Sequence, residues 1–149
     1  MEKLQKCLEC GAAWAAGQTC EDHFHQMLFW EAENPRYGAE VHHLLVLCYY
    51  LQHPSLYSPA GLSEAQRLLV EFVERETSPG EVRQRNRARV DSSQRHWKIK
   101  GTAASHGSYD RPMPWPMTAA DVVAGGAESY CDNVRAWART VNETLKTGR

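Results

Sequence analysis

No apolar run in this sequence is long enough to cross a membrane. The longest, Leu44–Leu51, falls well short of the roughly 20 residues that a transmembrane helix needs. The mean hydropathy is low, at −0.58, and Met1–Cys7 lacks the apolar stretch of a secretory signal. These absences exclude a helical membrane protein and favour a cytoplasmic location, where thiols stay reduced and act as metal ligands or buried side chains.

The chain also has little net charge and none of the common catalytic motifs. Its 17 basic and 18 acidic residues leave a formal charge of −1, which gives no general attraction to nucleic acid or to an anionic membrane. The sequence contains no phosphate-binding loop, no dinucleotide-binding glycine motif, no nucleophile elbow and no zinc-protease histidine pair. Phosphoryl transfer, hydride transfer and the common hydrolase reactions therefore lose support.

Hydrophobic spacing and capping residues predict an all-α fold. Thr19 followed by Asp22 marks a helix start, and the pairs Ser58-Pro59 and Ser78-Pro79 mark two more. A central apolar helix is expected from Gly38 to His53, and a last one over residues 127–146 with a buried stripe. We predict one compact domain, 1–149, of about five helices, with a zinc-knuckle-like loop at 1–18 and a long connection at 101–117.

Three cysteines near the N-terminus have the spacing of metal ligands. Cys7 and Cys10 are followed by Gly11, which suits a tight turn that presents two sulfurs to one ion. Cys20 lies at a predicted helix start, where the helix dipole favours a thiolate. Because zinc prefers thiolate and imidazole, we predict that these cysteines and one histidine bind Zn²⁺, and that chelation unfolds the protein.

The fourth ligand has two candidates in the sequence. His23 lies one helical turn after Cys20, and His42 lies on the central helix. A redox Cys-x-x-Cys is the alternative to a metal site, but that motif usually opens a helix after a strand, whereas Gly11 and an alanine-rich segment follow it here.

A second group of polar residues indicates possible acid–base chemistry. Tyr49 and His53 share one face of the central helix, and Asp121 begins a short segment near the C-terminus. If the two segments meet, His53 and Asp121 form a carboxylate–histidine pair within hydrogen-bond reach. The alternative is that His53 only caps the end of its helix.

The segment Arg83–Lys100 is strongly basic. Its cations outnumber its acids, and Trp97 lies among them, a composition that suits phosphates or single-stranded nucleic acid. The rest of the chain is acidic, however, and the arginines do not form one stripe on a helix. We therefore expect a solvated surface helix rather than a nucleic-acid site.

Three motifs together resemble a family of small, uncharacterised bacterial proteins. They are the N-terminal Cys-x-x-Cys-Gly with Cys20, a central His…Tyr-x-x-Gln-His-Pro at 42–54, and Trp-Pro-x-Thr-x-x-Asp-Val at 115–122. The resemblance implies a helical cytosolic domain with a metal site but without a settled activity. It also favours His42 over His23 as the fourth ligand, because members often lack a histidine at the position of His23.

These observations support one leading function and two alternatives. The leading one is a cytoplasmic module with a structural Zn²⁺ that binds an unknown protein or small-molecule partner. The first alternative is a metal-dependent enzyme that uses His53, Asp121 and Tyr49 on a small substrate. The second is a nucleic-acid-binding regulator that uses Arg83–Lys100. Neither nucleic acid nor a membrane is the expected partner.

Overall fold

Helices make up most of the computed structural model, which describes residues 5–14, 18–92 and 99–147, with the backbone alone at 86–92. A two-stranded antiparallel hairpin, β1 (Gln5–Lys6) and β2 (Ala13–Trp14), precedes them. The helices are α1 (Cys20–Glu33), α2 (Pro35–Leu51), α3 (Pro59–Glu74), α4 (Pro79–Ser92), α5 (Ala119–Ala124) and α6 (Tyr130–Thr147). The predicted all-α class is therefore confirmed.

Helix starts follow the capping residues of the sequence. The Thr19 side chain accepts the backbone N–H of Asp22, and the Asp22 carboxylate accepts the backbone N–H of Thr19 in return, which is a complete capping box. The expected start of α2 at Gly38 is wrong, because α2 begins at Pro35 with Asn34 as the only residue between α1 and α2. Proline is tolerated at the first helical position, where its missing N–H would have had no partner.

The apolar core lies around α2, which packs against α1, α3 and α6. In α2, Val41, Leu45 and Leu51 are fully buried, and Met27 of α1 and Trp137 of α6 are equally inaccessible. The predicted stripe of the last helix is confirmed, since all its members are buried: Tyr130, Val134, Trp137, Val141 and Leu145. None of the helices described is long and apolar enough to span a membrane.

A short 3-10 turn, Pro54–Leu56, and the connection at 101–117 cover the C-terminal end of α2. The Gly107 N–H donates to the Tyr57 carbonyl at 2.7 Å, and the Tyr109 hydroxyl donates to the Leu51 carbonyl at 2.5 Å. A Cβ at Gly101 would lie 2.5 Å from a backbone oxygen, so only glycine fits there. The connection contains no helix or strand, and its contacts hold the end of α2 that precedes His53.

Candidate metal centre

The first two cysteines lie on the turn between β1 and β2. The Cys7 N–H donates to the Ala12 carbonyl at 2.8 Å, and the Gly11 N–H donates to the Cys7 carbonyl at 3.0 Å. Gly11 has φ +79°, a left-handed conformation that favours glycine. This compact turn, which we call the knuckle (residues 5–14), places the two side chains side by side.

The other two members of the site come from helix ends. Cys20 is the first residue of α1 and is held there by the Thr19 cap. His53 follows the C-terminal end of α2, where its Nδ1 lies 2.6 Å from the Tyr49 carbonyl and Pro54 begins the next turn. Thus one helix start and one helix end converge on the knuckle.

The three sulfurs and the imidazole form a single cluster. One ligand atom from each of Cys7, Cys10, Cys20 and His53 lies within 4.8 Å of all the others. The Cys10 and Cys20 sulfurs are 3.5 Å apart, well beyond the roughly 2.05 Å of a disulfide, and all the cysteines are free. Two sulfurs bound tetrahedrally at ~2.3 Å from one zinc ion would lie roughly 3.8 Å apart, so the spacing suits a shared cation.

The imidazole of His53 is oriented to bind a cation. Its only described hydrogen bond is between Nδ1 and the Tyr49 carbonyl, and a carbonyl only accepts, so Nδ1 carries the proton. In the neutral ring that a metal ion binds, Nε2 presents a lone pair, and this atom is buried with no hydrogen-bond partner among the described residues. A buried polar atom is rarely left without a partner, so the unpartnered Nε2 indicates that a ligand binds there.

N–H groups of the described residues are directed at all three sulfurs. The Cys10 N–H points to the Cys7 sulfur at 3.5 Å, and the Ala12 N–H points to the Cys10 sulfur at 3.4 Å. The indole N–H of Trp14 donates to the Cys20 sulfur at 3.2 Å. Such contacts stabilise negative charge on the sulfurs and orient them.

Protonation of the cluster follows the same arrangement. Hydrogen bonds with Cys10 and Cys20 hold the pKa of the Cys7 thiol far below its usual range. Hydrogen bonds with Cys20 and Cys7, together with burial, raise the pKa of the Cys10 thiol. Burial lowers the pKa of His53, but its contacts with Cys20 and Cys7 outweigh burial and raise that pKa to about 10. Without a metal ion, the cluster therefore favours a negative charge on the Cys7 sulfur beside a positive charge on the His53 imidazole.

Comparison with known proteins places the chain in a family but gives no activity. The sequence model of DUF5946, described as a family of unknown function, matches residues 5–146. The chain belongs to this family. The predicted resemblance to an uncharacterised family is thereby confirmed. No curated protein and no solved structure gives a significant match to this DUF5946 member.

The candidate fourth ligands of the sequence analysis lie elsewhere in this DUF5946 member. His42 is near the middle of α2, about three helical turns before His53, and its Nδ1 is 2.7 Å from Oε1 of the buried Glu31. His23 does not belong to the cluster either, although its Nδ1 is buried without a partner among the described residues. The expectation of His42 or His23 is therefore corrected: His53 is the histidine beside the sulfurs.

The predicted acid–base group is only partly assembled. The Tyr49 ring packs on the His53 ring with centroids 4.4 Å apart, and burial raises the pKa of the Tyr49 hydroxyl. Asp121 instead caps α5, where its carboxylate accepts the Thr118 N–H at 2.8 Å. No hydrogen bond joins Asp121 to His53 among those of the described residues, so the predicted carboxylate–histidine pair is not formed.

The basic segment is described only in part. Arg85 donates to both carboxylate oxygens of Glu71, at 3.1 and 2.7 Å, and thus ties α4 to α3. Arg83 and Lys100 are exposed. The remaining cations of the predicted strip have side chains outside the described residues: Arg87, Arg89, Arg95 and Lys98.

Proposed function

We propose that Cys7, Cys10, Cys20 and His53 bind one structural Zn²⁺, and that the protein is a zinc-stabilised module that binds a partner. The observation that carries this proposal is the buried Nε2 of His53, which has no hydrogen-bond partner among the described residues although His53 clusters with three cysteine sulfurs. Its Nδ1 is bound to a backbone carbonyl, an outer contact typical of histidines that ligate zinc.

The donor set selects the metal. Three soft thiolates with one imidazole suit zinc in tetrahedral geometry, whereas calcium and magnesium require oxygen ligands. An iron–sulfur cluster is usually held by four cysteines, and the cysteines outside the cluster, Cys48 and Cys131, lie on α2 and α6 away from it. Zinc is therefore the metal that this site fits best.

A structural role follows from the number of ligands. Four protein ligands complete a tetrahedral shell, whereas a catalytic zinc keeps a position for water or substrate. His53 is also committed as a ligand under this proposal, so it is not free to act as a general base. The ion then joins the knuckle to the start of α1 and the end of α2. Under this proposal, the surface that this junction stabilises binds the partner.

Metal analysis of the purified protein tests the ligand set. We expect about one equivalent of zinc in the wild type, which is lost in His53→Gln and in Cys10→Ser. His42→Gln and Cys131→Ser are the matched controls and should retain it, because neither residue belongs to the cluster. Retention of zinc by His53→Gln together with loss from His42→Gln would contradict the assignment.

Cobalt substitution tests whether the shell is closed. Co²⁺ in the site should give the intense visible absorption of a tetrahedral ion with thiolate charge-transfer bands. Addition of azide or imidazole should leave this spectrum unchanged, because four protein ligands leave no open position. A spectrum that changes with these small ligands would show an open position and favour the enzyme alternative.

A further inference from the structure

The indole N–H of Trp14 donates a hydrogen bond to one sulfur of the cluster, that of Cys20. The indole Nε1 lies 3.2 Å from the Cys20 sulfur. The backbone N–H groups of Cys10 and Ala12 lie farther from the sulfurs they contact, at 3.5 and 3.4 Å. Cys20 is 4% exposed, so water does not replace this donor readily. The Cys20 sulfur therefore has a side-chain N–H donor, whereas the donors to the Cys7 and Cys10 sulfurs are backbone N–H groups of the knuckle.

The fold holds this indole in place. Trp14 ends β2 and pairs with Gln5 of β1, and its partly buried ring packs against the apolar core. Cys20 belongs to a different element, the first turn of α1. The indole–sulfur hydrogen bond therefore links the hairpin to the helix that supplies the third sulfur.

We propose that Trp14 is a positioning residue for the metal: its indole N–H orients the Cys20 sulfur and withdraws electron density from it. This inference rests on the proposed zinc site. Three thiolates around one Zn²⁺ leave a net charge of −1 in a buried place, and N–H donors compensate that charge. Loss of an outer-shell partner of a ligand typically costs 10- to 100-fold in metal affinity.

The test compares Trp14→Phe with Trp30→Phe. Trp30 packs on Tyr130 of α6 and makes no described hydrogen bond to the cluster, so its replacement removes an indole without removing a sulfur contact. We expect zinc affinity, measured by competition with a chromophoric chelator, to fall 10- to 100-fold in Trp14→Phe and to stay within about twofold in Trp30→Phe. Phenylalanine keeps most of the ring packing and lacks the N–H.

A spectroscopic readout separates positioning from simple destabilisation. Removal of the N–H raises the energy of the sulfur lone pairs, so the thiolate-to-Co²⁺ charge-transfer band of Trp14→Phe should move to longer wavelength. The Trp30→Phe band should match that of the wild type. Trp14→Phe with wild-type affinity and an unshifted band would overturn the inference, whereas a wild type that binds neither Zn²⁺ nor Co²⁺ would overturn the proposed function itself.

A measurement on the wild type keeps the inference testable if Trp14→Phe does not fold. In zinc-loaded, folded protein labelled with ¹⁵N-tryptophan, the Trp14 indole proton should exchange with D₂O at least tenfold more slowly than the indole proton of Trp30, which is also partly buried and makes no described hydrogen bond to a sulfur. Exchange of the two indole protons at the same rate would count against a hydrogen bond to a metal-bound sulfur.

Discussion

Gly11 shows how a single residue shapes the cluster. Its φ of +79° lets the chain turn back so that the N–H groups of Cys10 and Ala12 point at sulfurs. A Cβ at Gly11 would meet no atom within 4 Å, so the requirement for glycine is conformational rather than steric. Side chains pay roughly 1–2 kcal/mol in this left-handed region.

Gly11→Ala should therefore weaken metal binding by about 5- to 30-fold, since 1.4 kcal/mol is a factor of ten in an equilibrium constant. Gly126→Ala is a closely matched control, because Gly126 has φ +85° and equally open surroundings but lies between α5 and α6. It should lower stability by a similar amount and leave the zinc affinity of the folded protein unchanged. Equal zinc affinities in the two variants would show that the turn does not organise the ligands.

The residues of the site differ in how far the sequence predicts them. The cysteines could be proposed from local spacing alone, because Cys-x-x-Cys-Gly and a capped helix start are short-range signals. His53 could not, because its place depends on long-range contacts such as the Ser55 N–H that donates to Glu9 of the knuckle at 3.2 Å. The family resemblance favours His42, but this residue lies about three turns before His53 on α2, where its imidazole contacts the buried Glu31 instead of the sulfurs.

At the scale of elements, Glu31 joins three helices. It is 8% exposed on α1, and its two oxygens contact His42 of α2 at 2.7 Å and the Tyr130 hydroxyl of α6 at 2.5 Å. Burial and this carboxylate raise the pKa of Tyr130, so its hydroxyl stays protonated and donates. A buried carboxylate is costly unless it is hydrogen-bonded, so the contacts with His42 and Tyr130 offset the cost of burying Glu31.

Tyr130→Phe should destabilise the protein by roughly 1–3 kcal/mol, because it leaves one buried oxygen of Glu31 without a donor. The measurement is urea unfolding of Tyr130→Phe, Glu31→Gln and the double variant. Since the two groups interact directly, the double variant should lose less than the sum of the single losses. Additive losses would mean that the hydrogen bond between Tyr130 and Glu31 contributes nothing to the stability of the fold.

Element boundaries were predictable where the signal was local. Thr19 with Asp22 gives the start of α1, and the apolar spacing of α6 gives its buried face. The hairpin could not be predicted, since two-residue strands carry no alternation that a pattern can show. The predicted start of α2 at Gly38 was also wrong, because Pro35 begins this helix directly.

For the whole molecule, the cluster and the apolar core hold different parts of the chain. The core unites α2, α3 and α6 through buried apolar side chains, as with Leu45, Leu69 and Trp137. The knuckle has few such side chains, since Leu8 is fully exposed and Cys10 and Ala12 are its buried members. A bound ion would therefore contribute most where the apolar core contributes least.

The thermal stability of the protein should consequently depend on free zinc. A ligand that binds only the native state stabilises it by RT ln(1 + [L]/Kd), or about 1.4 kcal/mol for each tenfold rise in free zinc above Kd. Circular dichroism melts in metal-buffered solutions should show Tm rising steadily with free zinc and falling after chelation. His53→Gln, which lacks one proposed ligand, should show a much weaker rise. A wild-type Tm that is the same at all zinc concentrations would refute a structural role, because an ion that holds the knuckle to two helix ends must stabilise the folded state.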